Sequence, residues 1–333
     1  MLDNKSYMSI GAIAKRTSIE KIRMLRLLRA ANEIGLVDLR SNRVKSTDAL
    51  KLLSKSSSFS LASLIKSRGI TTYGPWSRLS GALASSKTAF ELFYGMNVGQ
   101  YLEDAGCNGD DQDERCEAQI SVRDRIQKKR EICHSVFENA LLTVPWEQII
   151  MSSDDAIICD VGSGDQTFDL SLTIDIIFNR QDTFSNVKVH GIVFDLPGVF
   201  KSKSSEEFEY VEGNIFSSIP SADVYVMKHL LHAGDDVACI QILEVVRANL
   251  RRNGIIIVID PILNKKPGTQ YLGDLNLFVT GGGRDRTYSE WAILFLNAGL
   301  EIVHVEKKSE EKGDDAFGMF CGSSIFVLRD SSD

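Results

Sequence analysis

The sequence predicts an α/β protein in which a mainly helical amino-terminal region precedes a parallel β-sheet. Four short apolar runs alternate with helical segments, at Ala156–Asp160, Val187–Phe194, Asp223–Met227 and Gly254–Ile259. This alternation is typical of a parallel sheet that helices cover on both faces. Ahead of these runs, two helical segments and two short strands between residues 9 and 45 follow the order of a winged helix.

Three regions follow from these patterns, since a length of 333 residues exceeds what one core usually organises. Residues 1–70 hold the winged helix, whose second helix has apolar residues at helical spacing before a stop at Gly35. Residues 71–150 are mainly helical and contain an acidic loop at Gly106–Arg115. Residues 151–333 hold the predicted sheet.

Composition excludes several protein classes. With 43% hydrophobic residues and 6 Pro, the chain is neither collagenous nor disordered. No apolar run approaches the roughly 18 residues of a membrane span, and no secretory signal follows Met1. The 6 Cys are too few for a disulfide scaffold and have no zinc-module spacing. We therefore expect a cytoplasmic protein with reduced thiols and without a membrane partner.

A glycine-containing turn follows the first predicted strand, in the segment Asp160-Val-Gly-Ser-Gly-Asp-Gln166. Glycines let the backbone turn sharply and approach a ligand closely. Gln166 stands where a dinucleotide fingerprint has its last glycine, and no P-loop lysine follows. The segment therefore predicts a ligand-binding turn, with a purely structural turn as the alternative.

Polar residues follow the next strands at comparable positions. Asp195, in Phe194–Pro197, ends the second strand, where a carboxylate can accept hydrogen bonds from both hydroxyls of a ribose. Its alternative role is to cap a turn. Asn214, in Val211–Phe216, follows a glycine at a strand end and could meet an adenine edge.

A histidine and a lysine follow the third run, where an open parallel sheet presents its ligand crevice. They are Lys228 and His232, in the segment Met227-Lys-His-Leu-Leu-His232. Histidine is the natural general base near neutral pH, so His232 is the candidate base. Further along, Asp274–Thr287 contains three consecutive glycines beside charged residues, which fits either a mobile active-site loop or a solvated turn.

In this order, the five motifs resemble those of the plant-and-fungal-type small-molecule O-methyltransferases. These are class I enzymes that depend on S-adenosylmethionine and include caffeate and acetylserotonin methyltransferases. The family reads D-V-G-G-G-x-G, F-D-L-P, G-D-M-F, K-W-x-x-H-D-W-S-D and G-G-x-E-R-T-x-x-E-W. The matching segments are Asp160–Gln166, Phe194–Pro197, Gly213–Phe216, Lys228–Asp236 and Gly282–Trp291.

The resemblance implies a Rossmann-like class I methyltransferase domain over residues 151–333, with S-adenosylmethionine as cofactor. It further implies that the winged helix serves assembly and that the helices of residues 71–150 line the acceptor pocket. By position, the cofactor would be bound by Gly162 and Gly164 at its methionine part, Asp195 at the ribose, Asn214 and Ile215 at the adenine, and Lys228 close by.

The resemblance also places the catalytic residues. His232 takes the position of the base, and Asp260 and Asp285 take those of two glutamates that orient it, each one methylene shorter. Because methyl transfer from a sulfonium is an in-line displacement, we expect no metal. The small-molecule acceptor should contact Asn276, Leu277 and Thr280.

Departures from the family pattern keep other functions open. Gln166 replaces a glycine, Asn214 an aspartate, and Ala233 and Gly234 the Asp-Trp pair, so an inactive cofactor-binding relative is one alternative. A homodimer is expected less strongly, because the winged helix starts almost at Met1, without the family's opening dimerisation helices.

The acceptor and a nucleic-acid partner are the remaining questions. We expect transfer to a hydroxyl of a phenolic or indolic molecule, with a thioether or thiol acid as the alternative. Residues 1–70 carry 14 Lys and Arg against 5 Asp and Glu, so a DNA-binding winged helix is the rival of another class. The resemblance favours assembly over DNA binding.

Overall fold

A computed structural model of the chain describes residues 6–54, 60–103, 138, 141–149, 155–162, 168–179, 187–197, 199–200, 207–263, 270–306 and 323–332. The chain divides into two compact units. The amino-terminal unit contains Met1–Tyr73 with Leu102–Ile132, and the sheet unit contains Gly74–Tyr101 with Cys133–Asp333. The acidic loop expected at Gly106–Arg115 lies outside the described residues.

The amino-terminal unit contains the predicted winged helix. Its elements are β1 (Met8–Ser9), α1 (Ile10–Thr17), α2 (Lys21–Glu33), β2 (Val37–Arg40), β3 (Arg43–Ser46), α3 (Asp48–Lys51) and α4 (Ala62–Ser67). Ser9 caps α1 by accepting from the Ala12 amide at 3.2 Å. Gly35, with φ of 76°, follows α2 and turns the chain into the antiparallel wing. The local signals of the sequence are therefore sufficient for this unit.

The sheet unit combines short helices with one large sheet. Its helices are α5 (Leu79–Leu83), α6 (Ala89–Tyr94), α7 (Val98–Glu103), α8 (Trp146–Ile149), α9 (Phe168–Ile174), α10 (Asp236–Ala248), α11 (Gln270–Gly281) and α12 (Tyr288–Asn297). Its strands are β4 (Asp155–Val161), β5 (Lys188–Asp195), β6 (Phe208–Glu212), β7 (Ala222–Lys228), β8 (Leu250–Leu263), β9 (Arg286–Thr287), β10 (Leu300–Glu306) and β11 (Ser323–Asp330). The α/β class is confirmed.

One strand of the large sheet, which the sequence did not predict, runs antiparallel to its neighbours. The sheet order is β10-β11-β8-β7-β4-β5-β6, and β11 runs antiparallel to both β8 and β10. The sheet is therefore mixed, while the four predicted strands β4, β5, β7 and β8 run parallel to one another, as expected. A buried strand has the same apolar composition in either direction, so the sequence of β11 indicates burial and leaves the direction open.

The strand order reverses between β4 and β7. From β4 the chain proceeds outward through β5 and β6, and β7 then returns to pair with the other side of β4, followed by β8. In open α/β sheets, ligands bind beyond the carboxyl ends of the strands at such a switch point. This edge therefore brings together the turn after β4 and the segment after β7.

Apolar side chains cover both faces of the sheet. Ile158, Val226 and Ile257 belong to one buried cluster, while their strand neighbours Cys159 and Met227 belong to the other. This alternation follows from the period of two along a strand. Packing on both faces fixes the register and thereby the positions of the carboxyl ends.

Two of the six cysteines lie among the described residues. Cys159 and Cys239 are free and buried, and burial raises the pKa of the Cys239 thiol to about 11 and that of Cys159 further. At neutral pH both are therefore protonated and unreactive. Among the described helices, none combines the length and apolar character that crossing a membrane requires.

Candidate active site

The turn after β4 begins with a glycine that the backbone requires. Gly162 has φ of 74°, which side chains other than glycine rarely adopt. Its amide donates to the Phe194 carbonyl oxygen at 2.9 Å, and a Cβ would lie 3.1 Å from Cδ1 of Leu230. Gly162 thus turns the chain at the switch point, while Gly164 and Gln166 lie outside the described residues.

The ends of β5 and β6 bring Asp195 next to the segment of Asn214. The Gly213 amide donates to the Asp195 carbonyl oxygen at 2.9 Å. Oδ1 of Asp195 accepts from the Leu196 amide at 2.7 Å, and Oδ1 of Asn214 accepts from the Phe216 amide at 3.0 Å. Each oxygen expected to bind a nucleoside therefore also stabilises its own loop.

Lys228 and Ile215 are half-buried at the same edge of the sheet. Lys228 is the last residue of β7 and pairs in register with Ile259 of β8. Ile215 packs against the apolar cluster on one face of the sheet. Both therefore lie where the strands end, together with Gly162 and Asp195.

The candidate base follows β7 on a short 3₁₀ turn. His229 leaves the strand with φ of 54°, its amide donating to the Ile259 carbonyl oxygen at 3.0 Å. The turn Leu231–Ala233 then presents His232, whose side chain is 15% exposed. A mostly buried imidazole at the crevice edge has limited contact with water, as a base for an enclosed acceptor requires.

Asp285 is the carboxylate that orients His232. An ionised carboxylate only accepts hydrogen bonds. Nδ1 of His232 therefore donates to Oδ1 of Asp285, at 3.1 Å. In the neutral ring the lone pair then lies on Nε2. Asp260 is fully buried, with Oδ1 3.9 Å from the same Nδ1, which is too far for a hydrogen bond but close enough to stabilise a cation.

A further carboxylate positions Asp285. The Asp285 amide donates to Oδ1 of Asp274, on α11, at 2.7 Å. Burial raises the pKa of Asp274 above its usual range. This hydrogen bond from the loop backbone to a side chain of α11 fixes the position of Asp285 relative to the ring of His232.

The loop of Asp285 is attached to the turn of His232 along its backbone. The Arg284 amide donates to the His232 carbonyl oxygen at 2.9 Å. A Cβ at Gly283 would come within 2.4 Å of that oxygen, so only glycine permits this approach. The close packing supplies the reach that Asp285 loses by being one methylene shorter than glutamate.

Arg286 binds the same turn from inside the protein. Its guanidinium is completely buried and donates to the carbonyl oxygens of Leu231 and Gly234, at 3.2 Å and 3.1 Å. It also donates to Oδ1 of Asp236 and lies 4.9 Å above the ring of Trp291. Charge-assisted bonds on both sides of His232 hold the turn in one conformation.

The expected acceptor residues lie together on α11. Asn276 is buried, and Leu277 and Thr280 are half-buried. The Thr280 hydroxyl donates to the Asn276 carbonyl oxygen at 2.8 Å, so its remaining capacity is as an acceptor. The helix packs against α6, whose Phe90 and Tyr94 rings are 4.6 Å apart.

Sequence reasoning missed three residues of this site. His229 lies in the segment Met227–His232, Asp274 begins the segment Asp274–Thr287, and Arg286 lies in the last motif. The spacing His-x-x-His after a strand was the available signal for His229. For Arg286 the available signal was the arginine of the family's last motif. For Asp274 no local signal existed, because its partner lies 11 residues away in the chain.

A profile of the O-methyltransferase domain matches residues 76–301, which is more than half of the chain. The chain belongs to the O-methyltransferase family. The resemblance drawn from the five motifs is therefore confirmed. The match includes the turn after β4, the segment of His232 and the loop of Asp285.

Curated O-methyltransferases align over different parts of the chain. O-methyltransferase 12 of Dictyostelium discoideum is 33% identical over 131 residues, covering 37% of this chain and 36% of the relative. Eugenol O-methyltransferase of Sorghum bicolor is 29% identical, covering 69% and 56%. O-methyltransferase SfmM3 of Streptomyces lavendulae is 26% identical over 323 residues, covering 89% and 86%. The chain thus spans about a third to a half of the first two relatives.

Solved O-methyltransferase structures share the fold. The O-methyltransferase NcsB1 from neocarzinostatin biosynthesis was solved with S-adenosylmethionine and 2-hydroxy-5-methyl naphthoic acid. It has a TM-score of 0.69 at 19% identity, covering 97% of this chain and 89% of that one. Human N-acetylserotonin methyltransferase, solved with S-adenosylmethionine, has a TM-score of 0.60 at 20% identity, covering 98% and 88%. At these identities the likeness concerns the fold alone.

Proposed function

We propose that this member of the O-methyltransferase family transfers a methyl group from S-adenosylmethionine to a hydroxyl of a phenolic or indolic small molecule, with His232 as general base. The observation that carries the proposal is the hydrogen bond from Nδ1 of His232 to Asp285, at 3.1 Å. It leaves Nε2 free of a proton in the neutral ring, as a base requires.

The residues at the sheet edge fit the cofactor by chemistry. A glycine with positive φ opens the turn after β4, and a carboxylate ends β5, which suit a methionine backbone and a ribose. In this proposal Gly162 and Gly164 cradle the methionine part, Asp195 binds the ribose, and Asn214 and Ile215 flank the adenine. Lys228 lies beside them.

When bound, the cofactor supplies an electrophilic methyl group on a positively charged sulfur. Nε2 of His232 takes the proton of the acceptor hydroxyl as the oxygen attacks, and the resulting imidazolium is stabilised by Asp285 and Asp260. A positioned base contributes about 10²–10⁴-fold to the rate, and alignment of the reactants contributes further. The proposal includes no metal, because a sulfonium already carries a good leaving group.

The acceptor pocket is proposed next to α11. Asn276, Leu277 and Thr280 would contact the acceptor. Tyr94 of α6 is half-buried and packs on the buried rings of Phe90 and Tyr101, with Tyr94 and Tyr101 4.5 Å apart between ring centroids. The partly exposed ring of Tyr94 favours a planar acceptor. We place the reaction in the cytoplasm, where free thiols stay reduced.

The test is the His232→Ala variant, assayed with labelled S-adenosylmethionine against a panel of phenols, indoles and thioethers. We expect turnover to fall by about 10²-fold or more, while calorimetry shows cofactor binding close to that of the wild type. His190→Ala, which alters a half-exposed imidazole paired with Glu209, is the matched control and should keep its turnover.

Each other outcome identifies an alternative. Unchanged turnover on a phenol would remove His232 from the role of base. Methylation of a thioether that survives the substitution would indicate a sulfur acceptor, because a thioether has no proton to lose. Cofactor binding without transfer to any acceptor of the panel would contradict the proposal and favour an inactive relative.

A further inference from the structure

A second imidazole, which the methyl transfer does not use, lies beside the base. The ring centroids of His229 and His232 are 5.2 Å apart. Nδ1 of His229 is 3.8 Å from Oδ1 of Asp260, and Nδ1 of His232 is 3.9 Å from the same oxygen. One donor atom from each of these three side chains lies within 4.8 Å of the others. Two imidazole nitrogens therefore lie near one carboxylate oxygen.

This donor set is one that binds divalent transition metals. Two histidines and one carboxylate hold zinc in catalytic sites and iron in non-haem sites, with open positions for water or substrate. Ligand atoms about 2.0–2.1 Å from a tetrahedral zinc are roughly 3.3 Å from one another. The distances between the donor atoms here, from 3.8 Å to at most 4.8 Å, are about 0.5–1.5 Å longer than this. Small side-chain rotations can close this difference.

The backbone places the three residues next to one another. The left-handed conformation of His229 turns its ring toward β8, and its amide is bonded to Ile259, the residue before Asp260. Asp260 is completely buried, so its carboxylate cannot turn to bulk water. With Asp285 at 3.1 Å from His232, two carboxylates face two imidazoles, and a divalent cation balances their charge.

We propose that His229, His232 and Asp260 form a binding site for a divalent transition metal, and that the metal switches the base off. The second part rests on the proposed function. A metal on Nδ1 of His232 takes the electron pair of that nitrogen, so the proton of the neutral ring moves to Nε2. Nε2 then has no lone pair for the acceptor hydroxyl, and the bond to Asp285 is lost.

Cobalt titration of the purified chain, without cofactor or acceptor, tests the site. Tetrahedral Co²⁺ absorbs visible light strongly, and we expect this absorption to rise to a plateau at one equivalent. His229→Asn and Asp260→Asn should each abolish it. Asparagine suits position 229 because it tolerates positive φ, and it is isosteric with aspartate at 260. The control His190→Asn should keep the absorption.

Inhibition is measured separately. Zn²⁺ should inhibit methyl transfer by the wild type. The Zn²⁺ concentration that gives half inhibition should be at least tenfold higher in His229→Asn. The rate of each variant is normalised to its own rate without metal. Absence of the Co²⁺ absorption, or its retention in His229→Asn, overturns the site. If the absorption forms while no acceptor is methylated, the proposed function fails and the site stands.

Discussion

At the scale of single residues, one carboxylate determines which nitrogen of the neutral His232 ring carries the proton. Asp285 accepts from Nδ1 at 3.1 Å, whereas Asp260, at 3.9 Å, contributes charge without a hydrogen bond. The two aspartates therefore have unequal roles, although they match two glutamates of the family pattern. Substituting them separately should show the difference.

The Asp285→Asn variant should lower turnover by about 10²-fold or more. Its amide can donate or accept, so the tautomer of His232 is no longer imposed. Asp260→Asn should lower turnover less, because no hydrogen bond to the ring is lost. Methyl-transfer rates at saturating cofactor measure both effects, and a larger loss in Asp260→Asn would contradict this assignment.

Arg286→Met should destabilise the sheet unit. The substitution keeps an apolar side chain beside Trp291 but removes the hydrogen bonds from the guanidinium to the carbonyl oxygens of Leu231 and Gly234. Each hydrogen bond to a charged group contributes about 1.5–3 kcal/mol. Urea unfolding measures the free energy. The exposed Arg252→Met is the matched control, and equal stability of both variants would show that the buried bonds are not needed.

At the scale of elements, the loop of Asp285 is held by the helix that follows it. Thr287 and Glu290 form a capping box at the start of α12, in which the Thr287 amide donates to Oε2 of Glu290 at 2.8 Å and the Glu290 amide donates to the Thr287 hydroxyl at 3.3 Å. Glu290 also pairs with Arg284, next to Asp285. The cap therefore joins the helix to the loop of Asp285.

The stabilisation from this cap should depend on pH. The bond from the Thr287 amide holds the pKa of Glu290 below its usual value. Ionised Glu290 therefore stabilises the fold at pH values above the pKa that this carboxyl has in the unfolded chain. The stabilisation is lost as the pH falls through the lower pKa that Glu290 has in the folded chain. The gap in unfolding free energy between wild type and Glu290→Gln should shrink from neutral pH toward about pH 4.

The matched control for this measurement is Glu301→Gln, which makes the same change at an exposed position on β10. It separates the loss of the cap from the general effect of removing one negative charge. A gap for Glu290→Gln that is constant over the pH range would show that the ionised cap does not contribute.

At the scale of the whole molecule, the basic winged helix is the feature that the site does not explain. Residues 1–70 have 14 Lys and Arg against 5 Asp and Glu. We expect no band shift with double-stranded DNA over roughly 50–200 mM salt, the range in which phosphate contacts would change affinity steeply. A shift that weakens as the salt concentration rises would favour the rival class, a DNA-binding winged helix. A single-stranded RNA of equal length serves as the comparison.

The homodimer stays a prediction that sedimentation velocity can test.

Local signals in the sequence determined much of this protein. Turn glycines, helix caps and apolar periods predict the winged helix, the strands β4, β5, β7 and β8, and the placement of Gly162, Asp195 and His232 where strands end. These features depend on neighbouring residues, which is why a single sequence reveals them.

Tertiary structure alone decided the remaining features. The direction of β11, the choice of Asp285 over Asp260 as the partner of His232, and the approach of His229 to Asp260 are contacts between residues far apart in the chain. Strand register and loop packing set such distances to within an ångström, and that precision separates a hydrogen bond at 3.1 Å from a purely electrostatic contact at 3.9 Å. No periodicity in the sequence encodes that difference, because it arises only when the sheet has assembled.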